Sequence, residues 1–318
     1  MNLAILESTA EKFIKMLASE KKSKHTITNY SSSLGSFIKH VRIHKGSSDF
    51  NFKETVFEYI DSVNPGYSTN TINTRRNIIK SFVNYLSDRG YIEESFSRNI
   101  KLLRRDNSKT KEVLEPFEIE GLLEAANCDI SEAAGYNIYH KVRNRLLLVM
   151  LIFTGMRRSE LACLRWSDVN TRTNEITVTG KGNKTRVVPL RKEIRYELMD
   201  FRELISEFEG RGYSMNTSYI FGSEHRNKRT KEKDGHINPK TIEIIIASLV
   251  KKAGISKKIT PHNLRHNFAS YAVKSGMSIP TLSGILGHAS PDITMKIYAH
   301  EISKEEREKQ MSKLDFGI

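Results

Sequence analysis

Three short segments of the sequence place arginine and histidine where they could bind an anionic group. TGMRRSEL carries Arg157 and Arg158, PHNLRH carries His262 and Arg265, and LGH ends in His288. A guanidinium group presents its N–H donors as a planar fork that matches two oxygens of a phosphate or a carboxylate. The chemistry that these residue types suit is therefore the binding of an oxyanion such as a phosphate or a carboxylate.

Each of the three segments coincides with the start or the end of a predicted helix. TGMRRSEL lies at a junction between two helices. In PHNLRH, Thr260 is a predicted N-cap and Pro261 fits the first helical position, so His262 and Arg265 share one helix face. LGH predicts a helix end, and SPD then restarts a helix that carries Tyr298 two turns later.

The first hundred residues predict helices only, in four segments with apolar side chains three or four residues apart. The sequence STAE, beginning at Ser8, is a predicted capping box for the first helix, and Gly90 is predicted to end the fourth. Four helices with short connections predict a small bundle. The polar stretch from Asp106 to Glu112 is predicted to be a linker.

The pattern becomes mixed after the linker. Helices are predicted at about 116–127, 139–154, 191–208 and 239–253, and from residue 261 onward. Alternation over Asn174–Gly180 and Thr185–Leu190, with GKGNK between them, predicts a β-hairpin with a lysine at its tip. The polar segment 210–238 is predicted to be a surface loop with a short strand at Tyr219–Phe221. The fold class is thus mainly α with a small β-sheet.

The composition favours a globular protein that binds polyanions. The 318 residues include 51 Lys and Arg against 37 Asp and Glu, a net charge of +14, and nucleic acid is the commonest partner of such an excess. Cys128 and Cys163 are predicted to be buried thiols, as in a reducing cytoplasm. No secretory signal, membrane-spanning run or zinc-type Cys–His spacing occurs, so a cytoplasmic protein without a metal is expected.

In their order along the chain, TGMRRSEL, the GKGNK hairpin, PHNLRH, LGH and Tyr298 resemble the motifs of the tyrosine recombinase family. That family includes phage and transposon integrases and Xer-type recombinases, and the resemblance covers essentially the whole chain. It implies a helical, SAM-like core-binding domain at 1–105, the linker at 106–112 and an α+β catalytic domain at 113–318. Because no arm-binding domain precedes the core-binding domain, the chain is most similar to the Xer type.

The resemblance implies that Arg157 and Arg265 clamp the phosphate under attack, while Arg158 faces solvent or DNA. Guanidinium forks suit this role because the attacked phosphodiester becomes a highly charged pentacoordinate species. Glu160 matches a supporting acidic position that orients an arginine or a histidine.

Proton transfer is implied for three further residues of the matching motifs. Lys181 would protonate the departing 5′ oxygen, with Lys184 as the nearby alternative. His262 resembles the acid–base histidine near the tyrosine hydroxyl, and His288 resembles a second histidine that hydrogen-bonds the phosphate. His266 and His300 are expected to be structural.

Tyr298 corresponds to the nucleophile. Its selection rests on position, ten residues beyond His288 on a short predicted helix, because the chain has twelve tyrosines. Tyr271 is the main competitor, but it follows Arg265 on the same helix and is expected to pack. A phenol has an ordinary pKa of about 10, and neighbouring cations would favour the phenolate.

The resemblance also implies the reaction and its partners. Attack by Tyr298 on double-stranded DNA would leave a 3′-phosphotyrosine and a free 5′ hydroxyl, and rejoining would need no ATP, metal or cofactor. Two domains would grip the duplex as a C-shaped clamp, and a homotetramer would form in synapsis. The apolar C-terminal tip, with Leu314, Phe316 and Ile318, would either dock on a neighbouring protomer or pack on its own subunit.

Several functions remain open on the sequence alone. An Xer-like role in resolving chromosome or plasmid dimers is favoured over an integrase or transposase of a mobile element. A catalytically inactive DNA-binding protein is a further alternative, but it would have no use for a nucleophile. A type IB topoisomerase would share the chemistry without needing a tetramer interface.

Overall fold

The computed structural model of the chain describes residues 1–46, 48–63, 66–104, 112–180, 182–211, 218–222, 235–288 and 290–298. The chain separates into two units, Met1–Thr110 and Lys111–Ile318. The predicted linker lies outside the described residues except for Glu112, as does the predicted C-terminal helix with its apolar tip. Each unit has a hydrophobic core of its own.

The first unit contains the four predicted helices. They are α1 (Leu3–Ser19), α2 (Lys24–Lys45), α3 (Phe52–Ser62) and α4 (Thr69–Asp88), and a short 3-10 helix follows at Ser97–Asn99. The core of this bundle is rich in aromatic side chains, among them Phe13, Phe37, Phe82 and Tyr85, of which Phe37 and Phe82 are fully buried. The fold expected for this region is confirmed.

The start of α1 differs from the prediction. The N-cap is Asn2, whose side chain accepts a hydrogen bond of 3.0 Å from the backbone N–H of Ile5. The predicted capping box, which begins at Ser8, instead lies inside the helix, and the Thr9 hydroxyl there donates to the Ile5 carbonyl at 2.8 Å. The apolar face already begins at Leu6, so a cap before Leu3 buries one more turn against the bundle.

The second unit is mainly helical, with one small sheet. Its helices are α5 (Pro116–Ser131), α6 (Asn137–Thr154), α7 (Arg158–Ala162), α8 (Lys192–Gly210), α9 (Pro239–Lys252), α10 (Pro261–Lys274), α11 (Ile279–Leu286) and α12 (Pro291–Tyr298). The sheet is antiparallel, in the order β1 (Val169–Asn170), β2 (Glu175–Thr179) and β3 (Thr185–Pro189). The predicted hairpin is therefore confirmed as β2 and β3.

Two features of this sheet region were not predicted correctly. Strand β1 is only two residues long, too short to produce an alternating pattern. The strand expected at Tyr219–Phe221 is absent, because Tyr219 forms only an isolated bridge to Arg165; a second isolated bridge joins the following residue, Gly222, to His236.

Helix α6 is the centre of the second unit. Every residue from Leu146 to Ile152 is buried, because α5, α8 and α10 pack around it. A helix that is apolar on all sides is expected in the middle of a core. Helix α10, which carries the PHNLRH motif, therefore packs on the fully buried centre of the unit.

The two cysteines correct a prediction. Cys128 and Cys163 are both exposed and unpaired, although each adjoins apolar helix residues. Each cysteine lies on the solvent-facing side of its helix or helix end, which the apolar residues around it in the sequence did not reveal.

In the part of the chain that the structure describes, no helix is both long enough and apolar enough to cross a membrane.

Candidate active site

The junction between α6 and α7 fixes the first arginine. Gly155 ends α6 in the left-handed conformation, with φ of 61°. A side chain at this position would be strained and would also overlap the ring of Phe268. Met156 is fully buried after it, so Arg157 emerges at the N-terminus of α7 with its backbone direction fixed from both sides.

The start of α10 fixes the second arginine together with a histidine. Thr260 caps the helix as predicted, accepting from the backbone N–H of Asn263 at 3.3 Å, and the Asn263 side chain accepts from the Thr260 N–H at 3.2 Å. One turn in, Arg265 is only 4% exposed, whereas His262 is exposed at the surface. The face of α10 that carries both residues is therefore exposed at His262 and buried at Arg265.

The C-terminal end of α11 is where the arginines meet. Arg157 donates to the carbonyls of Leu286, at 3.3 Å, and Gly287, at 3.1 Å. Arg265 donates to the same Leu286 carbonyl and to the Gly155 carbonyl, both at 2.7 Å. The last carbonyls of a helix lack helical partners and carry partial negative charge, so they suit guanidinium groups. The LGH motif therefore supplies the acceptors that orient both arginines.

Glu160 lies beneath the arginines as the shared carboxylate. Its side chain is 4% exposed and accepts from the Arg157 guanidinium at 2.7 Å and from the Arg157 backbone N–H at 2.9 Å. It also accepts from Arg186 at 2.7 and 3.0 Å. Burial acts to raise the pKa of Glu160, but the hydrogen bonds from Arg186 and Arg157 outweigh it and the pKa is lowered.

The surroundings of Arg265 carry an excess of positive charge. Burial, and then the charge of Arg157, lower the pKa of Arg265 to about 10, while Glu160 partly opposes them. The cluster has three guanidinium groups and one carboxylate. Arg157 and Arg186 donate to Glu160, and Arg265 interacts with it through charge alone. An anion with two accessible oxygens would relieve this repulsion, which is the electrostatic requirement of a phosphate site.

His288 follows the end of α11 and adjoins the same charges. Its Nδ1 lies 2.8 Å from the hydroxyl of Thr294, which is fully buried on α12, so the ring orientation is fixed. Burial, followed by the positive charges of Arg265, Arg157 and Arg186, lowers its pKa to about 4. His288 is therefore neutral at physiological pH in the DNA-free protein.

This lowered pKa predicts a pH dependence. Because unfolding restores the ordinary value of 6.5, the unfolded chain binds more protons between about pH 4 and 6.5, and stability falls as the pH drops through this window. We expect the ring resonance of His288, which is assigned by its absence in His288→Asn, to titrate with a midpoint of about 4 by NMR. A midpoint at or above 6.5 would contradict the description of this site.

Tyr298 ends α12 and is nearly enclosed. Its side chain is 4% exposed and belongs to a small apolar cluster with Ala272, Leu282 and Leu286. Its ring centroid lies 4.9 Å from that of His266, which is itself buried. Leu286, whose carbonyl accepts from both Arg157 and Arg265, belongs to the same apolar cluster. The phenol is thus beside the arginine cluster but largely shielded from solvent.

The alternative residues have other partners or positions. The Tyr271 hydroxyl donates to the Leu114 carbonyl at 3.1 Å, outside the arginine cluster. Arg158 forms an ion pair with Glu243 of α9 rather than joining Arg157. Lys184 is exposed at the base of the hairpin. Lys181 lies outside the described residues, as does His300.

A cleft of about 340 Å³ opens above the arginine cluster. Its lining includes Arg157, Arg158, Glu243, His262 and Arg265. Within the described ranges, no three His, Cys, Asp or Glu side chains lie close enough together to hold a metal ion. The cleft can bind a phosphate group through guanidinium groups, with an imidazole at its rim.

Arg186 is the member of this site that the sequence analysis missed. It lies two residues beyond Lys184 on β3, and its side chain is 10% exposed. The available signal was its place within the GKGNKTR run, where lysines at the hairpin tip attracted attention instead. Only the pairing of β3 with the rest of the unit shows that this arginine points inward.

Comparison with protein families gives two matches that together span most of the chain. The model described as "Phage integrase family" matches residues 112–305. The model described as "Phage integrase, N-terminal SAM-like domain" matches residues 10–90.

Similar proteins are recombinases of one group. Tyrosine recombinase XerC of Bacillus subtilis (strain 168) is 29% identical over 296 residues, covering 92% of this chain and 91% of that protein. Tyrosine recombinase XerA of Pyrococcus furiosus is 30% identical over 302 residues, covering 94% and 91%.

Two solved structures have the same fold. A XerH site-specific recombinase bound to palindromic difH substrate, in a post-cleavage complex, gives a TM-score of 0.69 at 22% identity and covers 95% of this chain and 83% of that one. A lambda integrase(75-356) dimer bound to a COC′ core site gives 0.67 at 18% identity, covering 92% and 97%.

Proposed function

Because the chain belongs to the phage integrase family of tyrosine recombinases, we propose that it is a site-specific recombinase of the Xer type. Enzymes of this class cut and rejoin DNA by transesterification. In this protein, Tyr298 would form the covalent bond to a backbone phosphate of double-stranded DNA.

One observation carries the proposal. Arg157 and Arg265, which are 108 positions apart in the chain, both donate to the carbonyl of Leu286, and Leu286 belongs to the apolar cluster that contains Tyr298. Two guanidinium groups near a phenol would supply the charge neutralisation and the nucleophile that attack on a phosphodiester requires. A protein that only binds DNA has no need for a phenol at such a point.

The proposed reaction assigns a step to each of the candidate site residues. The phenolic oxygen of Tyr298 attacks phosphorus, a new P–O bond forms, and the bond to the 5′ oxygen breaks. His262, exposed at the rim of the cleft, would accept the phenolic proton. Lys181, with Lys184 as its alternative, would protonate the leaving 5′ oxygen. Arg157 and Arg265 would neutralise the charge that develops on the two non-bridging oxygens, with His288 as a neutral hydrogen-bonding partner.

Rejoining is the same reaction in reverse. The 3′-phosphotyrosine keeps the energy of the broken phosphodiester, so a 5′ hydroxyl from the same or another strand can displace Tyr298. Exchange between two sites would require four active sites, and we propose a homotetramer in synapsis. A lambda integrase tetramer bound to a Holliday junction has the same fold, at 16% identity and a TM-score of 0.68.

The biological role that we propose is the resolution of chromosome or plasmid dimers, in the cytoplasm where that DNA lies. The Xer names of relatives that match over nine-tenths of the chain favour it. Integration of a mobile element is the second candidate, because the same chemistry would serve it. Recombination between two target sites on one plasmid, compared with joining of two separate molecules, distinguishes the two roles.

Covalent trapping tests the proposal. A duplex site is first selected from a randomised library by affinity for the protein, and a nick is then placed so that cleavage releases a short oligonucleotide. We expect the wild-type protein to become attached to the 3′ end, with protease digestion leaving a DNA-bound peptide that contains Tyr298. DNA that remains free of protein at every nick position would reject the proposed function.

Non-specific affinity for DNA should fall steeply with salt. The net charge of +14 is shared by both halves of the chain, and neutralised phosphates release counterions on binding. For six or more phosphate contacts, we expect a loss of about 1,000-fold between 50 and 200 mM salt. Fluorescence anisotropy with a random duplex measures this, and a flat titration would contradict a clamp formed by both domains.

A further inference from the structure

Arg186 has no role in the reaction described above, although its guanidinium group makes three hydrogen bonds within the site. From β3 it donates to both oxygens of Glu160, at 3.0 and 2.7 Å, and its Nε donates to the Ile285 carbonyl at 2.6 Å. Its side chain is 10% exposed. One guanidinium group therefore joins the sheet, the start of α7 and the end of α11.

The contacts of Arg186 lead directly to Arg157. The same Glu160 oxygen that accepts from Arg186 Nη1 also accepts from Arg157 Nη1, at 2.7 Å. The other oxygen accepts from Arg186 Nη2 and from the Arg157 backbone N–H. The carboxylate is thus held in one plane by the fork of Arg186, and it presents its remaining acceptor positions to Arg157.

The base of the hairpin lies against the same carboxylate. A Cβ built on Gly180 would lie 3.3 Å from Glu160 Oε1, so the turn passes directly over this oxygen. The Gly180 N–H donates to the Lys184 carbonyl at 2.8 Å, which closes the base of the hairpin there. Lys181 is the next residue after Gly180 in the sequence.

Gly287 shows how closely Arg186 is fitted. A Cβ at Gly287 would lie 2.8 Å from Cδ of Arg186, and φ is 65° at this position. The LGH motif therefore needs glycine for its backbone conformation and also for the passage of the Arg186 side chain. This second requirement links Gly287 to Arg186, which lies more than a hundred positions earlier in the chain.

We propose that Arg186 is a positioning residue for cleavage, which fixes Glu160 and through it both the Arg157 guanidinium and the base of the hairpin that carries Lys181. This inference rests on the proposed function, because it assigns a place in the same reaction. Arg186 acts through Glu160 and does not touch the DNA phosphate.

If Arg186 and Glu160 served stability alone, we would expect a balanced pair of charges rather than an excess of arginines. The cluster contains three arginines and one carboxylate, so Arg186 adds repulsion toward Arg157 and Arg265, and its charge lowers the pKa of Arg265. The planar fork supplies orientation that a single ammonium group cannot. Lysine at this position would keep the charge and lose the second bond to the carboxylate.

The test compares Arg186→Met and Arg186→Lys with Glu160→Gln and with the double variant Arg186→Met/Glu160→Gln. Single-turnover cleavage of the nicked site, binding of the intact site and thermal unfolding are measured for each. Arg172→Met is the matched control, since it removes an exposed arginine from the turn before β2 with the same change in net charge. Wild-type cleavage must be observed first, because its absence would reject the proposed function instead.

We expect Arg186→Met to cleave about 100-fold more slowly, the effect of a displacement near 1 Å at a reacting centre, while binding changes less than about threefold. The losses from Arg186→Met and Glu160→Gln should be strongly non-additive, because one residue acts through the other. Arg186→Lys should recover part of the rate. If Arg186→Met does not fold, Arg186→Lys alone should still slow cleavage about tenfold or more at unchanged binding.

The pH profile separates positioning from stability. Hydrogen bonds from Arg186 help to keep the pKa of Glu160 low, so removing them should move the loss of cleavage at acidic pH to a higher pH. This shift should disappear in the double variant, where position 160 no longer titrates. Additive losses, or wild-type cleavage by Arg186→Met, would each overturn the inference.

Discussion

Replacing Tyr298 with phenylalanine should leave DNA binding within about twofold of wild type and reduce covalent attachment to the nicked site at least about 1,000-fold. The variant removes one oxygen atom and keeps the ring, which packs against His266, Leu282 and Leu286. The fold and the arginine cluster should therefore persist, while the oxygen atom that we propose attacks phosphorus is gone.

Tyr271→Phe is the matched control for this result. Its hydroxyl donates to the Leu114 carbonyl, so its removal should cost about 1 kcal/mol of stability and leave the adduct intact. Both proteins are compared by denaturing electrophoresis of labelled DNA. Adduct formation by Tyr298→Phe at the wild-type rate would identify Tyr298 as the wrong nucleophile.

Replacing Arg265 with lysine should slow cleavage by about 1,000-fold or more, the range seen when an arginine that stabilises a phosphoryl transition state is lost. Arg265 is 4% exposed and is held by the Gly155 and Leu286 carbonyls on either side. A lysine cannot bond both carbonyls and also present a fork to phosphate oxygens. Single-turnover rates at saturating protein measure the loss separately from binding.

Arg158→Lys is the control for Arg265→Lys and also tests the assignment of roles within the paired arginines. Arg158 pairs with Glu243 and is more exposed than Arg265, so its replacement should slow cleavage less than about tenfold. Arg265→Ala is a weaker probe, because two buried carbonyls would lose their donor at a cost of about 1–3 kcal/mol each. Equal losses for Arg158→Lys and Arg265→Lys would contradict the assignment.

Local signals in the sequence were sufficient for much of this architecture. The cap at Thr260 and the proline after it fix the start of α10, and with it the positions of His262 and Arg265. The alternation on both sides of GKGNK fixes the hairpin. In each case the pattern acts within one or two turns of the chain, where propensity and capping decide the structure.

Other features depended on contacts that no local pattern encodes. The convergence of Arg157, Arg186 and Arg265 on the last carbonyls of α11 joins four separate elements. The inward direction of Arg186 depends on which face of β3 meets α11. The capping box expected at Ser8 was locally sound, but Asn2 allows another turn of α1 to be buried, and packing prevailed over the local motif.

Because Tyr298 is enclosed, we expect the free subunit to alternate between a state with the phenol packed and a state with the phenol released. While the phenol is packed among Ala272, Leu282 and Leu286, only 4% of Tyr298 is exposed, so a phosphate has little access to it. The observed rate of strand scission then equals the intrinsic rate multiplied by the fraction of time that the ring is released. On the proposed function, whatever releases this aromatic ring would decide where the DNA strand is cut.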